Sequence, residues 1–179
     1  MTEQEIEICV SQYGKDIYSF CKYLTGNPQE ADDLYQDTFL KAVEMKEKID
    51  YEQNSKSYLL SIVLRIWKNK KRKYAWRKRI VDVQSIIDEK DVDINDPTVL
   101  SLEENLVREE IRESVREAVN KLPDKIRIVV LLFYMEDLSS KQVADVMKIP
   151  VGTVLSRLHH ARRILRKELE DVLDGKTVR

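Results

Sequence analysis

Apolar residues recur along most of this chain with a period near 3.6, the signature of amphipathic helices. Ile6, Val10, Tyr13, Ile17, Phe20 and Leu24 step by four and three, which predicts a first helix that Gly26 stops and Pro28 follows. A second helix is expected over residues 28–45. Its inward face would be Ala31, Leu34, Thr38 and Ala42, which turns Asp32, Asp33, Gln36 and Asp37 outward. Acids this close to a helix N-terminus also suit the helix dipole, so part of the cluster has a purely structural reading. A third helix starts near Ser57 and is apolar on most sides through Trp67, the pattern of a buried helix.

The period then lapses. Residues 81–100 carry six acids, one lysine and Pro97, and read as a flexible acidic linker. Fully extended, it would reach about 70 Å at ~3.5 Å per residue. Its negative charge would keep it off a polyanion, or seat it in a basic protein channel. Periodicity resumes at Ser101, where Ser101 and Glu104 have capping-box spacing, and Val107, Ile111, Val115, Ala118 and Leu122 continue one stripe to Pro123. A further helix carries Ile126, Val129, Val130 and Phe133. The expected fold is all-α, with two small helical domains over residues 1–80 and 101–175 joined by the linker at 81–100.

The clearest local pattern follows. Ser139 and Gln142 form a second capping box, Val143, Ala144 and Met147 make an apolar stripe, and Pro150 ends a short turn because proline is tolerated only in a helix's first turn. On the next helix Val154, Leu158, Ala161 and Leu165 share one face, while Ser156, His159, His160, Arg163 and Lys167 share the other. Two helices meeting at a tight corner, the second with a donor-rich and acid-free outer face, predict a helix-turn-helix whose second helix enters a DNA major groove. The plain alternative is a packed helix pair with a solvated basic face.

Composition and charge narrow the class further. Four glycines and four prolines in 179 residues, with 35% charged side chains, fit neither a sheet protein nor a disordered one. The net charge of −1 conceals segregation: residues 1–80 carry 15 basic and 12 acidic side chains, 81–120 carry 4 and 12, and 121–179 carry 12 and 8. Two basic ends around an acidic middle predict two polyanion-binding units. No signal peptide or membrane-length apolar run is visible, so a cytoplasmic protein without membrane insertion is expected. Cys9 and Cys21 lack a C-x-x-C partner and read as buried thiols. His159 and His160, without cysteines or nearby acids, make a poor metal site, so neither metal nor cofactor is expected.

The densest charge is Lys68, Asn69, Lys70, Lys71, Arg72, Lys73, Tyr74, Ala75, Trp76, Arg77, Lys78 and Arg79, eight cations in twelve residues without an acid. Cations bind phosphates with counterion release and aromatic rings stack on unpaired bases, so Tyr74 and Trp76 among these cations predict a surface for distorted or single-stranded DNA. A solvated helix end is the bland alternative. No glycine-rich phosphate loop or nucleophile constellation accompanies it, and no catalytic residue is assigned. A nuclease or a stand-alone dimeric regulator fits less well, because no acid constellation lies outside the linker and the helix starts and no long dimerisation heptad is visible.

Residues Ala31-Asp-Asp-Leu-Tyr-Gln-Asp-Thr-Phe-Leu-Lys-Ala42 resemble region 2.2 of the extracytoplasmic-function (ECF) sigma factors. Leu122-Pro123 together with Val151-Gly-Thr-Val-Leu-Ser-Arg-Leu-His-His-Ala-Arg162 resembles their region 4. The resemblance implies a non-enzymatic sigma factor that joins core RNA polymerase, recognises the −35 and −10 elements of promoter DNA and traps melted DNA. It implies that Asp33, Gln36 and Asp37 face the clamp helices of the largest polymerase subunit, and that residues 49–56 form a loop holding a flipped −10 base. Lys68, Asn69, Lys70, Lys71, Arg72, Lys73, Tyr74 and Trp76 would then grip the upstream fork. Thr153, Leu155, Ser156, Arg157, His159, His160 and Arg163 would read the −35 element, and an anti-sigma factor would hold the free protein, at the membrane in some such systems. The chain departs from the family where Ile62-Val-Leu-Arg65 replaces an I-A-x-N pattern, and at Leu155, His159 and His160, where basic or aromatic residues are common.

Overall fold

The computed structural model describes residues 3–45, 55–80 and 102–173, and these are helices joined by short turns, with no strand among the described residues. The expected linker, most of the expected base-holding loop at 49–56, and the Ser101 cap lie outside them. The chain separates into two compact units, one containing the first three helices and the other drawn mainly from the last four. Each is described on its own terms.

In the first unit, α1 (Glu3–Thr25) and α2 (Pro28–Glu44) are joined by the tight corner that the sequence anticipates. Gly26 adopts a φ of 67°, a left-handed conformation that suits a residue without Cβ. Its N–H reaches Lys22 O at 2.9 Å to close α1. Asn27 then caps α2, its side-chain oxygen accepting from Glu30 N at 3.1 Å. Pro28 takes the first helical position, where its missing donor costs nothing. The inward face of α2 is Ala31, Leu34, Thr38 and Ala42, all buried, and the Thr38 hydroxyl is satisfied by Leu34 O at 2.7 Å. α1 contributes Cys9, Ile17, Phe20, Cys21 and Leu24 to the buried set, and neither cysteine is part of a disulfide. Val10 is in phase with that stripe yet 39% exposed, because periodicity sets a residue's direction but not what covers it. The third helix, α3 (Ser55–Ile80), buries Leu59, Leu60, Ile62, Val63, Leu64 and Trp67 in its first half and is solvent-facing beyond.

The second unit is drawn from α4 (Leu102–Asn120), α5 (Asp124–Val130), α6 (Ser140–Met147) as far as Ala144, and α7 (Val151–Leu173). Ala118 and Leu122 are buried as expected, but Ile111 and Val115 of the same stripe are 43% and 39% exposed, so the stripe is covered only where it nears Pro123. Leu122, Val130 and Ala161 form one core cluster, flanked by Val119, Ile126, Ile164 and Leu165. A feature not foreseen from the sequence is a π-helical turn, Leu131–Met135, at the end of α5, where Glu136 N bonds Leu131 O at 3.1 Å. It adjoins an unbroken buried run from Ile128 to Leu132, and a helix enclosed on several sides offers no amphipathic phase from which to infer the wider turn.

The corner between α6 and α7 is built as predicted. Ser139 N donates to Gln142 Oε1 at 2.9 Å and Gln142 N donates back to Ser139 Oγ at 3.3 Å, so two end donors of α6 are satisfied. Ile149 N closes onto Ala144 O at 3.0 Å, and Pro150 O accepts from Thr153 N at 2.9 Å and Val154 N at 3.2 Å to start α7. Between them Lys148 holds a φ of 55°, a left-handed conformation that strains a side chain bearing a Cβ. Replacing Ser139 by Ala is expected to lower stability by about 1 kcal/mol through loss of the cap. Lys148→Gly should raise it by roughly 0.5–1 kcal/mol through relief of the strain. Urea unfolding of the full chain followed by circular dichroism checks both signs, and a destabilised Lys148→Gly protein would contradict the assignment of strain.

Candidate nucleic-acid and partner interfaces

Three surfaces collect the residues singled out from the sequence. On α2, turning Ala31, Leu34, Thr38 and Ala42 into the core leaves Asp32, Asp33 and Gln36 exposed and Asp37 half-exposed. They are not equivalent. Asp32 accepts from Tyr18 OH at 2.8 Å. This hydrogen bond, ahead of burial and the carboxylate's charge, raises the Tyr18 pKa above its ordinary value. Tyr18 also meets Tyr35 edge-to-face at 5.6 Å between ring centres, and burial first of all raises the Tyr35 pKa, so both phenols stay neutral near neutral pH. Gly14 admits this cluster, since a Cβ there would lie 3.0 Å from Tyr35 OH. Asp32 therefore belongs to the α1–α2 packing, whereas Asp33, Gln36 and Asp37 lie on the opposite side of the helix from Ala31 and Ala42.

Leu40, 64% exposed, and Val43, 41% exposed, fall on the same outward side, beyond Gln36 and Asp37 by about one turn and two. Acids, an amide and an uncovered leucine thus stand side by side on one outward face of α2. Leu40 was not among the residues expected at an interface, although its phase signals it: it is a large apolar residue out of step with the buried positions of its own helix.

The basic stretch is helical throughout. Lys68, Asn69, Lys70, Lys71, Arg72, Lys73, Tyr74 and Trp76 are all exposed, Tyr74 by 57% and Trp76 by 64%, on the half of α3 that outruns its buried half. Successive residues turn by about 100°, so Asn69, Arg72, Lys73 and Trp76 share one side, while Lys71 and Tyr74 continue the line of Trp67. Lys71 Nζ stands 4.7 Å from the centre of the Trp67 ring, a cation–π contact. Arg72 NH2 donates to Asn69 Oδ1 at 3.3 Å, and Lys70 Nζ pairs with Asp37 Oδ2 at 2.8 Å. Arg65, at the position where the family pattern has asparagine, is exposed, and its NH2 lies 3.1 Å from Met45 Sδ.

On α7, Val154, Leu158 and Ala161 are buried, whereas Leu155, Ser156, His159, His160 and Arg163 are exposed together with Arg162, Arg166 and Lys167. Thr153 and Arg157 are half-buried. Arg157 NH1 reaches back to Lys125 O at 3.4 Å, and Arg162 Nε donates to Tyr134 OH at 3.1 Å. Between residues 153 and 167 the helix carries five Arg or Lys side chains and two histidines and no acid, so its outer face matches phosphate oxygens and base-edge acceptors. Leu155, 54% exposed, adds an apolar contact. Such a side chain is of the kind that meets a thymine methyl. Among the described residues no cluster of three or more His, Cys, Asp or Glu side chains is arranged to hold a metal ion, and no helix is long and apolar enough to cross a membrane.

The sequence profile of sigma-70 region 2 matches residues 9–77 and that of sigma-70 region 4 matches residues 112–165. The ECF RNA polymerase sigma factor SigW of Bacillus subtilis is 29% identical over 172 residues, covering 91% of this chain and 88% of its own. The RNA polymerase sigma-H factor of Pseudomonas aeruginosa is 28% identical over 174 residues, covering 96% and 89%. Among solved structures, the sigma factor RpoE of Bartonella quintana, crystallised with the anti-sigma factor NepR, shares the fold with a TM-score of 0.76 at 22% identity, covering 92% of this chain and 96% of that one. CnrH, solved with the cytosolic domain of CnrY, gives 0.63 at 21% identity, covering 98% and 92%.

If the exposed half of α3 touches phosphates, Arg72→Ala should reduce the slope of log affinity against log salt by about one for DNA binding by the full chain. Leu155→Ala should leave that slope unchanged while altering preference among DNA sequences. Anisotropy titrations over a salt series decide this, and an unchanged slope in Arg72→Ala would remove Arg72 from the interface.

Proposed function

The chain belongs to the extracytoplasmic-function branch of the sigma-70 factors, and from that premise we propose how its three surfaces serve promoter-directed transcription initiation. Proteins of this family bind core RNA polymerase and direct initiation at promoters. We assign polymerase docking to Asp33, Gln36 and Asp37, with Leu40 as an apolar anchor among them. Interfaces draw most of their energy from a few desolvated anchors, and an exposed leucine ringed by polar groups is such a candidate.

The exposed half of α3 is assigned to the −10 region. Lys68, Lys70, Lys71, Arg72 and Lys73 hold phosphates, and Tyr74 and Trp76, on different sides of the helix, offer rings to unpaired bases. Taking a base out of the stack costs a few kcal/mol, which polymerase binding and contacts to the single strand must offset. The outer face of α7 is assigned to the −35 element, with Ser156, His159, His160 and Arg163 projecting toward base edges and phosphates, Leu155 giving apolar contact, and Thr153 at the start of the helix. Arg157, half-buried with its guanidinium on Lys125 O, supports the corner as well as lying beside the groove. On this reading the chain makes and breaks no covalent bond; chemistry remains with the polymerase.

The order of the two family matches along one chain, with an acid-free exposed face on α7 between residues 153 and 167, is the observation that carries this reading. The family neighbours solved with NepR and CnrY support an anti-sigma partner for this chain also, and with it a cytoplasmic location in which a membrane-held partner can sequester the free factor. Run-off transcription with core polymerase on genomic fragments tests the function directly: added protein should create defined start sites, and an unchanged transcript pattern refutes it. Asp33→Arg should weaken binding to core polymerase by at least about tenfold, since like or unpaired charges at an interface cost several kcal/mol. Leu40→Ala should weaken it by a comparable factor. Equal melting curves for the variants and the parent would establish that the loss is one of contact.

A further inference from the structure

Asp37 and Lys70 belong to surfaces assigned to different partners, and they touch. Lys70 Nζ lies 2.8 Å from Asp37 Oδ2, and each side chain is 47% exposed. The fold does not require the contact. Both groups would remain hydrated if the pair opened, and ion pairs at this exposure add little to stability. What the pair does control is availability. An ammonium held on a carboxylate presents a DNA phosphate with a nearly neutral pair and a neighbouring negative oxygen, and the same carboxylate presents an incoming donor with one oxygen already engaged.

We propose, on the functional reading above, that the Asp37–Lys70 bridge couples the polymerase-docking face of α2 to the DNA-binding half of α3. A cation or N–H donor of the polymerase that takes Asp37 releases Lys70 to a phosphate. Capture of Lys70 by a phosphate frees Asp37 for the polymerase to the same extent, because coupling between two binding sites is reciprocal. The free chain is thereby held in a state of weaker DNA affinity than the polymerase-bound chain. The size follows from the exposure of the pair: a factor of about two to five.

Full-length Asp37→Asn, Lys70→Ala, the double variant and Asp33→Asn test the coupling, with fluorescein-labelled forked DNA of mixed sequence as the probe across a salt series. Core polymerase without DNA provides the second titration. Asp37→Asn alone should bind the fork about two- to fivefold more tightly than the parent, with a log–log salt slope steeper by up to about one, since one more cation reaches a phosphate. The double variant should lose that gain. Lys70→Ala alone should tighten binding to core polymerase by a similar factor of about two to five. Asp33→Asn, which removes the same charge one turn earlier, should reproduce none of the change in slope.

An unchanged slope in Asp37→Asn, an equal change in Asp33→Asn, or a gain that survives in the double variant each overturns the coupling. Failure of the parent to bind core polymerase or to direct transcription would instead overturn the functional reading itself. Normal transcription with unaltered slopes would remove the bridge alone.

Discussion

Continuity of α3 is the constraint on which the exposed basic surface of the first unit rests. Its second half sets Lys68 against Arg72 and Lys73 against Arg77 at i,i+4 spacing, where like charges oppose helix formation, and an isolated helix of about a dozen residues is marginal even with favourable pairs. Its first half has no such difficulty, because Leu59, Leu60, Ile62, Val63, Leu64 and Trp67 are buried. Burial of an aliphatic side chain contributes on the order of 1.5–3 kcal/mol. The buried half therefore nucleates the helix, and the charged half extends it one hydrogen bond at a time. Trp67 marks the junction, its indole set into the core while its face receives the Lys71 ammonium. A mobile tail of the same composition would lose far more conformational entropy on binding than this preformed rod of cations.

The second unit meets the same requirement differently. α7 shows one face to the core and the other to solvent, and its direction is fixed at the corner before it. Two conformational costs are accepted there, the left-handed Lys148 and, at the preceding corner, the left-handed Asp137 at a φ of 56°. Neither is glycine. Each sits between helices whose ends are otherwise well satisfied, α6 by the Ser139–Gln142 box and α7 by Pro150 O, so the closed hydrogen bonds on both sides hold the strained residue in place.

Much of this was legible because helices with one wet and one dry face write their orientation into the sequence. The inward set on α2, the exposed set on α7 and the cap at Ser139 follow from spacing and side-chain chemistry alone. Three things were not legible, each for a physical reason. Burial of Val10, Ile111 and Val115 depends on what lies over them, which no local period records. The π-turn Leu131–Met135 begins inside a buried run that offers no wet side to set a phase. The Asp37–Lys70 contact joins positions far apart in the chain and on different helices, where charge counting foretells attraction but not geometry. Leu40 is a different kind of miss: its phase was visible, but a single exposed leucine is too common on protein surfaces to stand out without the polar residues around it.

The two surfaces proposed to meet DNA differ, on that assignment, in what they can discriminate. On α3 the groups are mainly ammonium and guanidinium ions with two rings, which recognise any phosphate and any π-face, so this surface selects the state of DNA, opened or distorted, more than its sequence. On α7, Ser156, His159 and His160 can donate or accept, and Leu155 rewards a methyl group, so this surface carries base information. On that assignment a leucine contributes nothing to the salt-dependent part of affinity, which falls to cations such as Arg163 and Lys167. The proposed assignment thus separates two tasks along the chain: sequence reading where the side chains are chemically varied, and holding of opened strands where they are nearly uniform.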